Sequence, residues 1–433
     1  MSRTRPGVLA TLASLVLLAT GPAGVRAQDL HERIDAAVER ISPEIVRVRR
    51  TIHQNPELSN REEETAALVA GRLRELGLEV ETGVAHTGIV GVLRGGRPGP
   101  VVAVRADMDA LPVTERTDLP FRSTKRTTYL GKEVGVAHAC GHDVHTSVAL
   151  GVAVALAEVR EALPGTVVFL FQPAEEGPPP GERGGASMMI AEGALEDPRP
   201  EAIFALHSFP DLQVGKLGWS SGPTFASSDH FIVTIEGKQA HGAWPHESVD
   251  PVVTAAQAIL ALQTIRSRTL DPTEPGVVSV GIVRGGERNN IIPESVRLEI
   301  TIRTYDQAVR ERIKERIREI LDGVTGAAGA SYEMEVIPYA PPTLNDAALA
   351  EMARESLVRT VGEEDVVEVE PVMGAEDFAH YAREIPGFYF RLGVEAPGKP
   401  SGGLHTPTFR ADDSAVPVGV RAMARLVVDY LEE

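Results

Sequence analysis

Apolar positions recur every three or four residues over 30–54, at Ile34, Val38, Ile41, Ile45, Val48 and Ile52, and this period predicts an amphipathic helix. A second helix is expected over Glu62–Leu76, stopped by Gly77. The pattern then changes to short β-branched runs at 88–93, 101–105, 166–171 and 202–206. Helical stretches at 146–161 and 185–192 fall between the last three. Continuous apolar strands alternating with helices predict an α/β domain, with a mostly parallel central sheet covered by helices on both faces.

Another texture begins near Ser220. Strands are predicted at 231–236, 277–283, 296–304 and 332–337, with helices at 249–268 and 306–322. That β-α-β-β-α-β order is the split-βαβ, ferredoxin-like pattern of a small α+β unit. The expected division is a discontinuous first domain, 28–219 and 336–433, with 220–335 inserted as the second. The last stretch returns with helices at 346–359 and 414–432.

The 433 residues are 43% hydrophobic and 24% charged, a globular balance that excludes a disordered, collagen-like or polytopic membrane chain. A formal charge of −18 argues against nucleic acid or an anionic membrane surface as the main partner. Residues 1–27 read as a secretory signal: Arg3 and Arg5, an uncharged apolar run from Val8 to Ala19, and small residues at Val25 and Ala27. That run is too short to span a bilayer, so cleavage near Ala27 and an exported protein, periplasmic or secreted and free of the membrane, are expected. The one cysteine, Cys140, forbids an intrachain disulfide, and an exported free thiol calls for an occupant.

Metal-competent residues gather where strands end. Asp107 and Asp109 follow the run ending at Arg105, Glu175 and Glu176 the run ending at Phe171, and His207 the run ending at Leu206. Open α/β sheets collect their ligands beyond the carboxyl ends of strands. In His138-Ala-Cys-Gly-His-Asp143 a glycine separates Cys140 from His142, so both can face one point. Thiolate, imidazole and carboxylate together suit zinc or a neighbouring transition metal, and are too soft for calcium or magnesium. Neighbouring side chains on extended backbone diverge, so one of Glu175 and Glu176 is free to ligate while the other moves a proton. Gly218-Trp-Ser-Ser-Gly222 matches G-x-S-x-G, but Pro223 and a strand-like run follow where a nucleophile elbow needs a helix.

Arg105-Ala-Asp-Met-Asp-Ala-Leu-Pro112, His138–Asp143, Gln172-Pro-Ala-Glu-Glu-Gly177, Gly374-Ala-Glu-Asp-Phe378 and Leu404-His405 occur in that order. Together they resemble the dinuclear-metal amidohydrolase branch of hippurate hydrolase and indoleacetyl-amino-acid hydrolase, within the metallopeptidase family of aminoacylase and carboxypeptidase G. The resemblance implies five metal ligands, Cys140, His142, Glu176, His207 and His405, holding two divalent ions. Zinc is the first expectation, with manganese, cobalt and nickel also compatible. It further implies Glu175 as general base and acid, and Asp109 as the residue that orients a ligand. The wider family's H-x-D motif reads Asp107-Met-Asp109 here, and Cys140-x-His142 compensates for the missing histidine. The resemblance also makes residues 220–335 a lid and dimerisation domain, and it implies that His241 reaches into the active site of the other subunit while Asn290 and Arg303 meet the substrate's carbonyl and carboxylate.

The expected activity is hydrolysis of N-acyl amino acids to a carboxylic acid and a free amino acid, by a homodimer or higher oligomer. An exported carboxypeptidase or dipeptidase is the nearer alternative. A non-catalytic binding protein is the remote one, since a complete ligand set plus a base has little use in binding alone.

Overall fold

The computed structural model describes residues 27–433; the basic start and apolar run of the expected signal lie outside the described residues. Its larger sheet has eight strands, in spatial order Glu79–Val84, Gly88–Arg94, Pro164–Gln172, Arg97–Asp107, Ala202–Gln213, Gly387–Glu395, Leu217–Trp219 and Val366–Glu368. The four from Pro164–Gln172 to Gly387–Glu395 run parallel. Side chains alternate between the two faces, as the pleat dictates. Val102, Val104, Phe169, Phe171, Phe204, Phe388 and Phe390 meet the helices Ala27–Gln54, His142–Glu158 and Ala415–Glu432. Ala103, Val168, Leu170, Ile203 and Tyr389 meet the layer that holds Gly185–Ala191 and Ala379–Glu384. Burial on both faces is why these strands read as unbroken apolar runs.

Two details depart from the sequence reading. Gly387–Glu395, where the sequence pattern predicts no element, is a strand inside the sheet, buried from Gly387 to Val394. The strand through Leu206 runs on to Gln213, so His207 lies within it, opposite Arg391. The G-x-S-x-G segment joins two strands with no helix, and Ser220 Oγ is buried 3.0 Å from Thr224 Oγ1.

The second, four-stranded sheet is antiparallel, in the order Gly276–Arg284, Ser295–Thr304, Ser228–Glu236, Ser331–Ala340. Helices Pro251–Thr264 and Gln307–Ala328 cover one of its faces, packing Ala258, Leu262, Ile313 and Ile317 on Phe231, Val233, Leu298 and Ile300. Both helices start from aspartate caps: Asp250 accepts from the Val252 and Val253 amides, and Asp306 from that of Val309.

A buried ion network fastens the first helix to the one that begins at His142. Arg49, fully buried, places Nε 2.7 Å from Asp143 Oδ2 and Nη1 3.0 Å from Asp413 Oδ1, and His53 Nδ1 lies 2.9 Å from the same Asp143 oxygen. Burial alone would raise the Asp143 carboxyl, but Arg49 and His53 hold it well below the usual range. Arg49→Met leaves that charge short of its partner, so a loss of about 3–5 kcal/mol is expected in denaturant titration. A midpoint equal to that of the unaltered protein would show that His53 alone suffices.

Candidate active site and metal centre

The carboxyl edge of the parallel strands carries the site. Gly141 precedes the helix His142–Glu158 with φ 89°, and a Cβ there would lie 2.0 Å from Ser208 Oγ. Only glycine fits, and the turn it permits brings Cys140 and His142 to one point. Cys140 Sγ sits 3.3 Å from His207 Nε2 and 3.3 Å from His405 Nε2. His405 reaches in from a loop at φ 61°, strained for a non-glycine residue. Glu176 Oε1 lies 3.1 Å from His405 Nε2 and 4.0 Å from His142 Nε2, and Glu175 Oε2 lies 3.8 Å from His142 Nε2. All five expected ligands and Glu175 therefore converge.

Hydrogen bonding separates ligands from supports. Asp109 is saturated: Oδ1 faces His142 Nδ1 and the Glu175 amide, both at 3.1 Å, while Oδ2 accepts from the Glu176 amide at 3.1 Å and from Ser59 at 2.7 Å. It orients His142 and the Glu175–Glu176 turn and has no lone pair to spare. His145 is spent as well, accepting the Ser208 amide at Nε2 (2.8 Å) and donating from Nδ1 to Asp107 (2.6 Å). Likewise His207 donates from Nδ1 to the Ser208 carbonyl at 2.8 Å, which leaves Nε2 as the lone pair turned toward Cys140. Among the described residues, His142 Nε2 and Glu176 Oε1 are buried without a hydrogen-bond partner; His405, the near neighbour of Glu176, is not aligned as a donor. Orphaned acceptors facing a thiol and two imidazole nitrogens fit divalent cations. Cys140 belongs to two ligand groups, one with His142 and His207 and one with Glu176 and His405, each with its ligand atoms within 4.8 Å of one another.

The electrostatics ask for the same charge. Burial, then Glu176 and Glu175, push the Cys140 thiol far up. Burial, then Glu376, Glu176 and Asp377, push the Glu175 carboxyl well above its usual range. Cations in the cage reverse both shifts, because a nearby positive charge favours thiolate and carboxylate.

Two supports have no role in the sequence reading. Glu62 accepts from the Ala174 and Asn60 amides, both at 3.0 Å, and from the Thr87 hydroxyl at 2.6 Å, holding Ala174 at φ 53° ahead of the two glutamates. Behind them, buried Arg105 binds Asp107 (2.7 Å), Asp377 (2.9 Å) and Glu376 (3.0 Å). The Glu-Asp pair of the Gly374–Phe378 motif could have flagged the second; the first is a side-chain-to-backbone contact between distant segments, without any spacing rule.

A cleft of about 620 Å³ opens onto the cage. Phe209, Phe225, Met373 and Leu404 give it an apolar wall, and Arg303 lines it too. Arg303 Nη1 donates to Thr301 Oγ1 (2.6 Å) and the Ile302 carbonyl (2.8 Å), and no carboxylate pairs with it among the described residues. His241 and Asn290 are not brought to this cleft. They sit together on the small ribbon of Ala240–His241 with Ile291–Ile292, where Asn290's carbonyl accepts the Gly242 amide at 2.8 Å. His241 is exposed there, its ring 4.9 Å from that of Trp244.

The chain matches the model of peptidase family M20/M25/M40 over residues 103–429. It is 38% identical to thermostable carboxypeptidase 2 of Saccharolobus solfataricus, over 93% of this chain and 99% of the relative. It is 37% identical to N-acetyl-L-cysteine deacetylase of Bacillus subtilis, over 87% and 85%. Among solved structures it superposes with a TM-score of 0.77 on a dinuclear metal-binding M20 peptidase of B. subtilis, at 35% identity, over 91% of this chain and 99% of that one. With a ligand set shaped for two divalent cations and a glutamate poised beside it, the chain belongs to peptidase family M20/M25/M40 and is a metal-dependent hydrolase.

Proposed function

We propose that this enzyme hydrolyses the amide bond of N-acyl amino acids, releasing a carboxylic acid and a free amino acid. The observation that carries the reading is Arg303, a guanidinium without a carboxylate partner among the described residues, in the same cleft as Glu175 and the cation cage. Its planar fork suits the free carboxylate of an amino acid, and the apolar wall suits an acyl group on the other side of the scissile bond. The similarity to an N-acetyl-L-cysteine deacetylase supports this substrate class, and the similarity to a carboxypeptidase supports the second reading, peptide cleavage at a free C-terminus.

Glu175 takes a proton from the attacking water and later delivers it to the leaving nitrogen. Asp109 keeps His142 and the Glu175–Glu176 turn in register throughout. Cys140, His142, Glu176, His207 and His405 would hold the cations, which acidify that water and polarise the carbonyl when bound. Zinc is the proposed metal, on the softness of the thiolate and imidazole donors. The working form is a dimer, in which the ribbon bearing His241 and Asn290 completes the cleft of a second copy and steadies the tetrahedral oxyanion. Exposed Val253, Leu260 and Val283 on the small unit offer an apolar face for that pairing. Export follows from the N-terminal segment.

The test is a panel of benzoyl-glycine, acetyl-amino acids and dipeptides assayed with zinc, manganese, cobalt or nickel added back. Preference for an N-acyl amino acid is expected, with kcat/KM at least about tenfold above the best dipeptide. The reverse order assigns the enzyme to the peptidase reading.

A further inference from the structure

The strand Ser331–Ala340 pairs residue for residue with Ser228–Glu236 until its last turn, where the register slips. Asp229 opposes Pro338 and Ser228 opposes Ala340, leaving Tyr339 as the extra residue of a β-bulge. Bulges beside active sites re-aim a side chain, and this one turns Tyr339 out of the small sheet and into the catalytic cleft. From the catalytic side, His380 Nε2 donates to the Tyr339 carbonyl at 3.1 Å and pins the backbone. The Tyr339 hydroxyl ends against Glu175, its one O–H shared between the backbone carbonyl and, at 3.0 Å, the carboxylate Oε1. The other oxygen, Oε2, faces His142 Nε2 and the cage.

We infer that Tyr339 is a positioning residue of the reaction: delivered by a bulge of the small sheet, its hydroxyl holds Glu175 by one carboxylate oxygen so that the other faces the cations. The two oxygens thereby acquire different work. Oε2 accepts the proton from water and passes it to the leaving nitrogen, while Oε1 remains an acceptor and Tyr339 keeps its own proton throughout. Without the hydroxyl the carboxylate is free to turn about its terminal torsion, a broad and soft one. This inference rests on the proposed reading for the role of Glu175 but not for the identity of the acyl group.

The experiment uses the intact, metal-loaded chain and whichever amide of the N-acyl-amino-acid and dipeptide panel it cleaves best. If that amide is a dipeptide, the substrate reading fails and the test of Tyr339 proceeds on the dipeptide. Tyr339→Phe is expected to lower kcat by about 10- to 100-fold, the worth of a hydrogen bond to a charged group, with KM held within about twofold. Metal content and melting temperature stay as in the unaltered protein. In a Glu175→Asp background, whose shorter carboxylate falls short of the hydroxyl, the same change is expected to cost less than about twofold. An unchanged kcat for Tyr339→Phe overturns the inference. So does an equal loss in both backgrounds, or a loss of metal or of folding, since each would make Tyr339 a merely structural residue.

Discussion

Glu175→Gln is expected to fold, to keep its cations and to lose amide hydrolysis by roughly 10³–10⁴-fold in kcat. The change is nearly isosteric, and Glu175 is not needed to complete either ligand group around Cys140. What it removes is the acceptor proposed to take a proton from water and return it to nitrogen. Stability should not suffer. The amide fills nearly the same volume as the carboxyl it replaces, so the packing around it is kept. A melting temperature close to that of the unaltered protein, together with the lost rate, is the expected pair of results. Near-normal turnover would remove Glu175 from the chemistry.

The second large effect is expected of Cys140→Ala. Its sulfur stands 3.3 Å from both His207 Nε2 and His405 Nε2, and it is the residue common to the two ligand groups. Removing it would take a soft anionic donor from both ligand groups. The site keeps His142, Glu176, His207 and His405, but each of the two groups loses its thiol. Cation content is expected to fall below about half of the full complement, with activity down by at least about 10³-fold. The fold should persist, because Cys140 lies at the sheet's rim, and the packed clusters on either face of the sheet do not include it.

Much of this site was legible in the chain because strand ends and a tight ligand spacing leave marks in sequence. Asp109, Glu175 and Glu176 each follow an apolar run, and Gly141 between Cys140 and His142 announces a turn. The small sheet was legible through its alternation, which Ser295–Thr304 keeps along its whole length. Other features left no such mark. Gly387–Glu395 was hidden because a strand carrying the buried Arg391 has neither alternation nor β-branched monotony. The Glu62 clamp and the Tyr339 hydroxyl join segments more than a hundred residues apart, which no local period encodes. His241 and Asn290 were reached through resemblance, and a single chain does not bring them to the cleft.

The central claim is that five residues far apart in sequence cage two divalent cations that hydrolysis requires. The most direct measurement is elemental analysis of the purified chain and of Cys140→Ala, paired with an amide-hydrolysis assay before and after chelation. About two cations per unaltered chain, fewer in the variant, and activity lost to chelator and restored by added metal are expected. Full turnover by a metal-free chain indifferent to chelator would contradict it.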